Sequence, residues 1–283
     1  MTVAVLVSAL ACTSCAMPSP PPGQEDTEEE SKTAPDPASA VEPDSKGQQK
    51  GPDAGDIASR ECDFIDAAAN QLEYRDPSQF LNAGPQSHLS RSNADSIASR
   101  IDGSSDSLDS ITAIFKWKHS HFDTDNAGGA YVGTLTVNDI MERGSLSGCH
   151  DHGIVLASVL RLFDIPTVMV DAAGIQWASD YSAGRTERFV GHVFLEVWTE
   201  TGWILLDSTS GEYLVDYDPC EPVIPLTRSI ESLGYYALLK GLDPADYGVH
   251  SIDDLKRHMA SFSARVETSD LIFPEYVQRR LKV

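Results

Sequence analysis

Basic residues are scarce in this chain: 21 Lys and Arg stand against 43 Asp and Glu over 283 residues, a formal net charge of −22. A surface so acidic repels phosphates, which argues against a nucleic-acid partner. No charged side chain precedes Glu25, and residues 24–57 hold ten acidic residues and three lysines, a net of −7. The remaining −15 belongs to the rest of the chain, so the acidity is not only that of a tail. The apolar stretch at 1–16 falls short of the ~20 residues that a bilayer-crossing helix needs. No internal repeat is present, which excludes solenoids and propellers. Cysteine is sparse, with five in all, too few for a disulfide-built scaffold of this length.

What is there divides into three parts. Residues 1–16 have the length of a signal-peptide apolar core and end in small residues and cysteine. Ala9-Leu10-Ala11-Cys12 resembles a bacterial lipoprotein cleavage site, which would leave lipid on Cys12 as the one membrane attachment. The leucine stands one place closer to the cysteine than that pattern has it, and no basic residue precedes the run. Residues 17–57 form an acidic, proline-rich linker with Pro20-Pro21-Pro22, Glu28-Glu29-Glu30 and almost no large apolar residue. Such a segment buries too little surface to offset its ordering entropy and is expected to be disordered. The chain is therefore expected to be exported, to the cell envelope, the periplasm or the medium. Residues 58–283 have the composition of a folded domain, with a core at about 107–209 and an extension at 210–283. Cys62 and Cys220 could pair in an oxidising compartment; two buried thiols are the alternative.

Hydrophobic spacing predicts helices at 63–74, 94–101 and 107–119, the last capped by Asp106 or Ser107, and a short helical turn at 136–142. The central helix is expected over 148–163, with Ser147 as its cap. Leu156, Leu160 and Phe163 make one apolar line and Val155, Val159 and Leu162 another, so this helix is buried on most sides. Asp164 then takes a left-handed turn and Pro166 blocks continuation. Strands follow at 167–171, 190–198 and 203–208. The last two form a hairpin around Thr199-Glu200-Thr201-Gly202. With Trp198 opposite Trp203, Asp207 falls diagonally from His192 on the same sheet face. The polar stretch carrying Trp177 and Tyr181 reads as a surface loop, with a border of the substrate cleft as the alternative. Helices are expected near 233–239 and 252–261, as packing that carries no chemistry.

Three segments carry chemistry: Ser147-Gly148-Cys149-His150-Asp151-His152-Gly153, Gly191-His192-Val193-Phe194-Leu195-Glu196-Val197-Trp198 and Trp203-Ile204-Leu205-Leu206-Asp207-Ser208-Thr209. A thiol must ionise to attack an amide, and a free cysteine titrates near ~8.5. The partial charge at a helix N-terminus is worth at most about 2 kcal/mol, or ~1.5 pKa units, and leaves Cys149 barely half ionised at neutral pH. An imidazolium from His192 would complete the ion pair, and Asp207 would hold that ring. The N–H of Cys149 is a natural oxyanion donor.

In order, spacing and flanks, these segments resemble the transglutaminase-like superfamily over roughly 107–209. The resemblance implies Cys149 as nucleophile, His192 as base and Asp207 as acid. It also implies an α+β, papain-like architecture with the cysteine helix packed on an antiparallel β-sheet and further helices flanking it. Ser208 stands where proline often follows the aspartate, and His150 replaces a position that is usually less polar. No cofactor or metal is called for: on a helix His150 and His152 face different ways, and His119 with His121 reads as a solvated helix end.

The expected activity is thiol-dependent acyl transfer at an amide of a protein or peptide substrate, to water or to an amine. The alternative is a non-catalytic envelope binding or scaffold module that retains the fold.

Overall fold

The computed structural model describes residues 62, 72–125, 127–227 and 231–282. In chain order the elements are α1 (Arg91–Ala98), α2 (Ser107–His121), β1 (Asp123–Thr124), α3 (Val137–Arg143), β2 (Ser145–Leu146), α4 (Cys149–Leu162), β3 (Thr167–Gly174) and α5 (Ile175–Ser182). They continue as β4 (Gly191–Thr199), β5 (Gly202–Asp207), β6 (Glu212–Val215), β7 (Val223–Ile224), β8 (Tyr235–Gly241), α6 (Ile252–Ser263) and β9 (Val277–Arg280). Seven strands form one sheet in the order β7-β8-β3-β4-β5-β6-β9, with every neighbouring pair antiparallel. β1 and β2 are a separate parallel pair of two residues each.

The sheet is covered on both faces. On one side α4 lies against β3 and β4, with α1, α2 and α3 around it. Leu156 and Leu160 of α4 are fully buried with Met169, Val193 and Leu195, each burial contributing about 1.5–3 kcal/mol. Close approach of α4 to the sheet depends on Gly153, where a Cβ would lie 2.7 Å from Val193 Cγ1 and 3.0 Å from Met169 Cε. On the other side Val168, Val170, Phe194 and Trp203 pack with Tyr74 and Phe80. β3, in the interior of the sheet, is buried along all eight residues. Between the sheet and that second layer lies a buried polar knot. Glu196 accepts from Tyr74 Oη at 2.5 Å, Tyr217 Oη at 3.2 Å and Lys240 Nζ at 2.5 Å.

Local signals explain most boundaries. Ser90 caps α1, Asp106 caps α2, and Thr136 with Asp139 forms a capping box on α3. α4 ends as expected, with Asp164 at φ 58° ahead of Ile165-Pro166. Trp198 pairs with Trp203, so the hairpin register is the expected one, and Phe194 stands opposite Asp207. α1 begins three residues ahead of the expected helix, on its Ser90 cap.

Other expectations are corrected. Ser147 does not cap α4: the N-cap is Gly148, which makes no side-chain cap bond, and Ser147 is instead bound by Asp151. The segment with Trp177 and Tyr181 is not a surface loop but α5. Its Trp177 is buried between Tyr181 and Phe189, and Glu231 accepts from the N–H groups of Gln176 and Trp177. The helix expected at 233–239 is strand β8, paired between β7 and β3. A strand buried on both faces shows no polar alternation, and Ala-Leu-Leu-Lys has good helix formers, so spacing could not tell the two apart. The helix expected at 63–74 lies outside the described residues up to 71, and 72–74 are not helical. The leader and the linker, 1–57, lie outside the described residues. Cys62 and Cys220 are joined in a disulfide across 158 positions.

Candidate active site

Cys149 is the first residue of α4, 8% exposed. The loop ahead of it is held from within the helix. The Asp151 carboxylate accepts from the Ser147 N–H at 3.0 Å, the Ser147 hydroxyl at 2.8 Å, and Arg143. Arg143 also donates to the Ser145 carbonyl, so the cation, the loop and the first turn of α4 form one unit. The thiol's position is therefore set by backbone and carboxylate geometry rather than by packing alone.

His192 is the second residue of β4 and Asp207 the last of β5, both about 1% exposed. The hairpin brings them together: His192 Nε2 lies 3.0 Å from Asp207 Oδ1. That oxygen also accepts from Thr209 N–H and Thr209 Oγ1, each at 2.8 Å, and from Ser210 N–H at 3.2 Å. Four donors on one carboxylate oxygen favour its ionised form. Cys149 and His192 line the same cavity, of about 590 Å³ including the solvent at its mouth. Sequence-predicted residues from α4, β4 and β5 thus converge, with the first two on one cavity and the third hydrogen-bonded to the second.

The same cavity holds a second imidazole–carboxylate pair. His150 Nε2 is 2.7 Å from Asp171 Oδ1, and Tyr247 Oη donates to Asp171 Oδ2 at 2.6 Å. His150 and Asp171 both line the cavity. Burial, then the neighbouring Asp171, pushes the Tyr247 hydroxyl well above its ordinary range, which keeps it protonated as a donor. The sequence marked His150 as unusual but gave no sign of its partner, because Asp171 reads as the end of an apolar strand.

Behind the His192–Asp207 pair lies a buried amine. Lys118 of α2 donates to the Ser208 carbonyl, and its Nζ lies 2.9 Å from His152 Nδ1. Burial pushes Lys118 down to about 7, against the pull of Asp207. Burial and then Lys118 hold His152 well below its usual range, so it stays neutral. His119 is lowered by burial first and by Lys118 second; its ring lies 6.0 Å from that of His152, and the residue is exposed near the end of α2, as expected.

The depressed Lys118 has a consequence for stability. The folded state holds this proton only below about 7, whereas the unfolded chain holds it to 10.5. Between these values the unfolded state binds more protons, so stability rises with pH. Lys118→Met should remove on the order of 1 kcal/mol per pH unit of that slope. Denaturant unfolding of both proteins at pH 7, 8 and 9 checks it: equal slopes would mean that Lys118 is charged in the fold.

The C-terminal extension, expected to carry no chemistry, forms one wall of the cavity. Ile252, Leu255, Lys256 and Met259 of α6 line it, and Phe189 adds an aromatic face. Tyr247, also from the extension, completes the Asp171 pair. The available signal was the i, i+3, i+4, i+7 spacing of these α6 residues, which is indistinguishable in sequence from a core-packing stripe.

A helix-borne cysteine on an antiparallel sheet, sharing a cavity with a histidine paired to an aspartate, is the arrangement of a papain-like thiol fold. Residues 95–208 match the model described as "Transglutaminase-like superfamily". No curated protein sequence matches the chain. Among solved structures it is similar to a cysteine protease candidate from Cytophaga hutchinsonii at 16% identity and a TM-score of 0.39, over 60% of this chain and 48% of that one. The chain thus spans about half the length of that protein.

Proposed function

We propose that the protein is a thiol acyltransferase that cleaves amide bonds of a protein or peptide through an acyl-enzyme, with Cys149 as nucleophile, His192 as base and Asp207 as its orienting acid. The observation that carries this reading is the His192 Nε2–Asp207 Oδ1 hydrogen bond at 3.0 Å beside a cavity that Cys149 and His192 share. With Nε2 turned to Asp207, the other ring nitrogen, Nδ1, is the one to take the thiol proton.

The Cys149 sulfur attacks the carbonyl carbon, and the oxyanion is received by the Cys149 N–H at the start of α4. The C–N bond breaks as His192 returns its proton to the leaving amine. Water, or a second amine, then attacks the thioester; His192 removes a proton from it and passes it to the departing sulfur.

The disulfide between Cys62 and Cys220 supports function in an oxidising compartment, outside the cytosol. Attachment through lipid on Cys12 is part of the same proposal. Among the described residues no helix is long and apolar enough to cross a membrane.

Incubation with a glutamine-containing peptide and a primary amine, followed by mass spectrometry, tests the reading. An acyl adduct on Cys149 and a deamidated, cleaved or amine-linked product are expected. Equal turnover by Cys149→Ala would overturn it. The scaffold alternative predicts no adduct and a Cys149 thiol that titrates like a free peptide's.

A further inference from the structure

We propose that the Cys149 cavity selects an acyl donor carrying a carboxylate, and that Lys256 is the residue that recognises it. The inference rests on the reading of Cys149 as the reacting thiol and adds the chemistry of what it acts on.

Ile252, Leu255 and Met259 face the cavity at the spacing of one helical stripe, and position 256 belongs to the same stripe. A wall built only for packing would be apolar there, as at its three neighbours. Lysine puts an ammonium on it instead. The bland alternative is that the lysine stem covers Phe189 and sends its head to bulk water. Nζ does lie 5.9 Å from the Phe189 ring, but Lys256 lines the cavity and its side chain is only 33% exposed.

Charge bookkeeping around the cavity separates Lys256 from the other ionisable groups. Asp151 is held by Arg143 and Ser147, Asp171 by His150 and Tyr247, and His192 by Asp207. The nearest carboxylate to Lys256 is Asp253 Oδ1 at 3.7 Å, itself 83% exposed. A pair so solvated is worth about 0–1 kcal/mol and gives way readily to a ligand.

The rest of the wall sets the remaining chemistry. Val132, Ala172, Phe189, Leu255 and Met259 offer an apolar bed for the stem of the donor, with Cys149 and Lys256 on the same cavity. In a chain of net charge −22 anions are repelled at long range, so a local cation is what distinguishes an anionic donor from a neutral one.

Two alkylating agents of nearly equal size test this without a known substrate. Iodoacetate and iodoacetamide both form a bond from the Cys149 sulfur to carbon and expel iodide, but only the first carries a carboxylate. Their rate ratio reads the cation on the cavity wall, and division by the iodoacetamide rate removes any change in thiol reactivity. Lys256→Met should lower the ratio about 3- to 10-fold, as expected for one charge at cavity distance. Lys256→Arg should keep it within about twofold. An unchanged ratio in Lys256→Met overturns the proposal. If Cys149 proves no more reactive than a free thiol, the enzymatic reading fails while the ratio still reports the cation.

A second arm identifies the carboxylate. Short peptides with glutamate or glutamine, each with a free or amidated C-terminus, are used to protect Cys149 from iodoacetamide. Protection by the amidated glutamate peptide assigns an acidic side chain, and protection by the glutamine peptide with a free terminus assigns a chain end. Equal protection by all four overturns the proposal.

Discussion

His192→Ala should slow iodoacetamide labelling of Cys149 at pH 6 by about 10- to 300-fold. The range follows from what remains once the imidazolium is gone. A bare thiol near ~8.5 is ionised to only ~0.3% at pH 6, and a helix N-terminus worth ~1.5 units raises that to roughly 10%. The ion pair in the native protein would hold it near full ionisation. Turnover should fall further than labelling, because the variant also loses the proton donor to the leaving amine, commonly ~10²–10⁴. Labelling against pH from 5 to 9 in the native protein, His192→Ala and Cys149→Ala separates the effects. A profile unmoved by His192→Ala would end the reading of that residue as base. Labelling that persists at pH 6 in Cys149→Ala would assign it to another nucleophile.

The second large effect lies farther along β4, at Glu196. Lys240→Met should destabilise the fold by about 3–5 kcal/mol, because it leaves Glu196 buried without its cation. Glu196 is 0% exposed, and the hydroxyls of Tyr74 and Tyr217 donate hydrogen bonds to it but carry no charge. Burial, and then Glu196, hold both phenols well above their usual range, so neither adds negative charge. Adding Glu196→Gln to Lys240→Met should recover most of the loss, since no carboxylate would then need neutralising. Denaturant unfolding of the single and double variants decides it. Equal losses in the two would mean that the cost is one of packing rather than of charge.

The parts of the site that were legible in the sequence share a cause. The helix of Cys149 shows two apolar lines and a stop at Ile165-Pro166, and the His192–Asp207 hairpin is fixed by the Trp198–Trp203 pair that sets its register. Both are short-range patterns. What escaped depends on tertiary partners. Tyr235–Gly241 is buried on both sides of the sheet, so its residues carry no alternation to mark a strand. The polar Ile175–Ser182 is a helix because Glu231, more than fifty residues away, supplies acceptors for its first N–H groups. His150 was conspicuous, but its partners Asp171 and Tyr247 come from β3 and from the extension. The stripe of α6 spells a packing face in isolation and becomes a cavity wall only once it lies across from Cys149.

The disulfide has a mechanical consequence. Cys220 sits just ahead of β7, the strand at one margin of the sheet, and Cys62 is bonded to it. Tension applied to the chain ahead of residue 62 is therefore delivered to that margin through a covalent link, bypassing the hydrogen bonds of Tyr74 to the interior. Reduction removes that covalent link, and the hydroxyl of Tyr74 on Glu196 is then the tie that joins this part of the chain to the strand bearing His192.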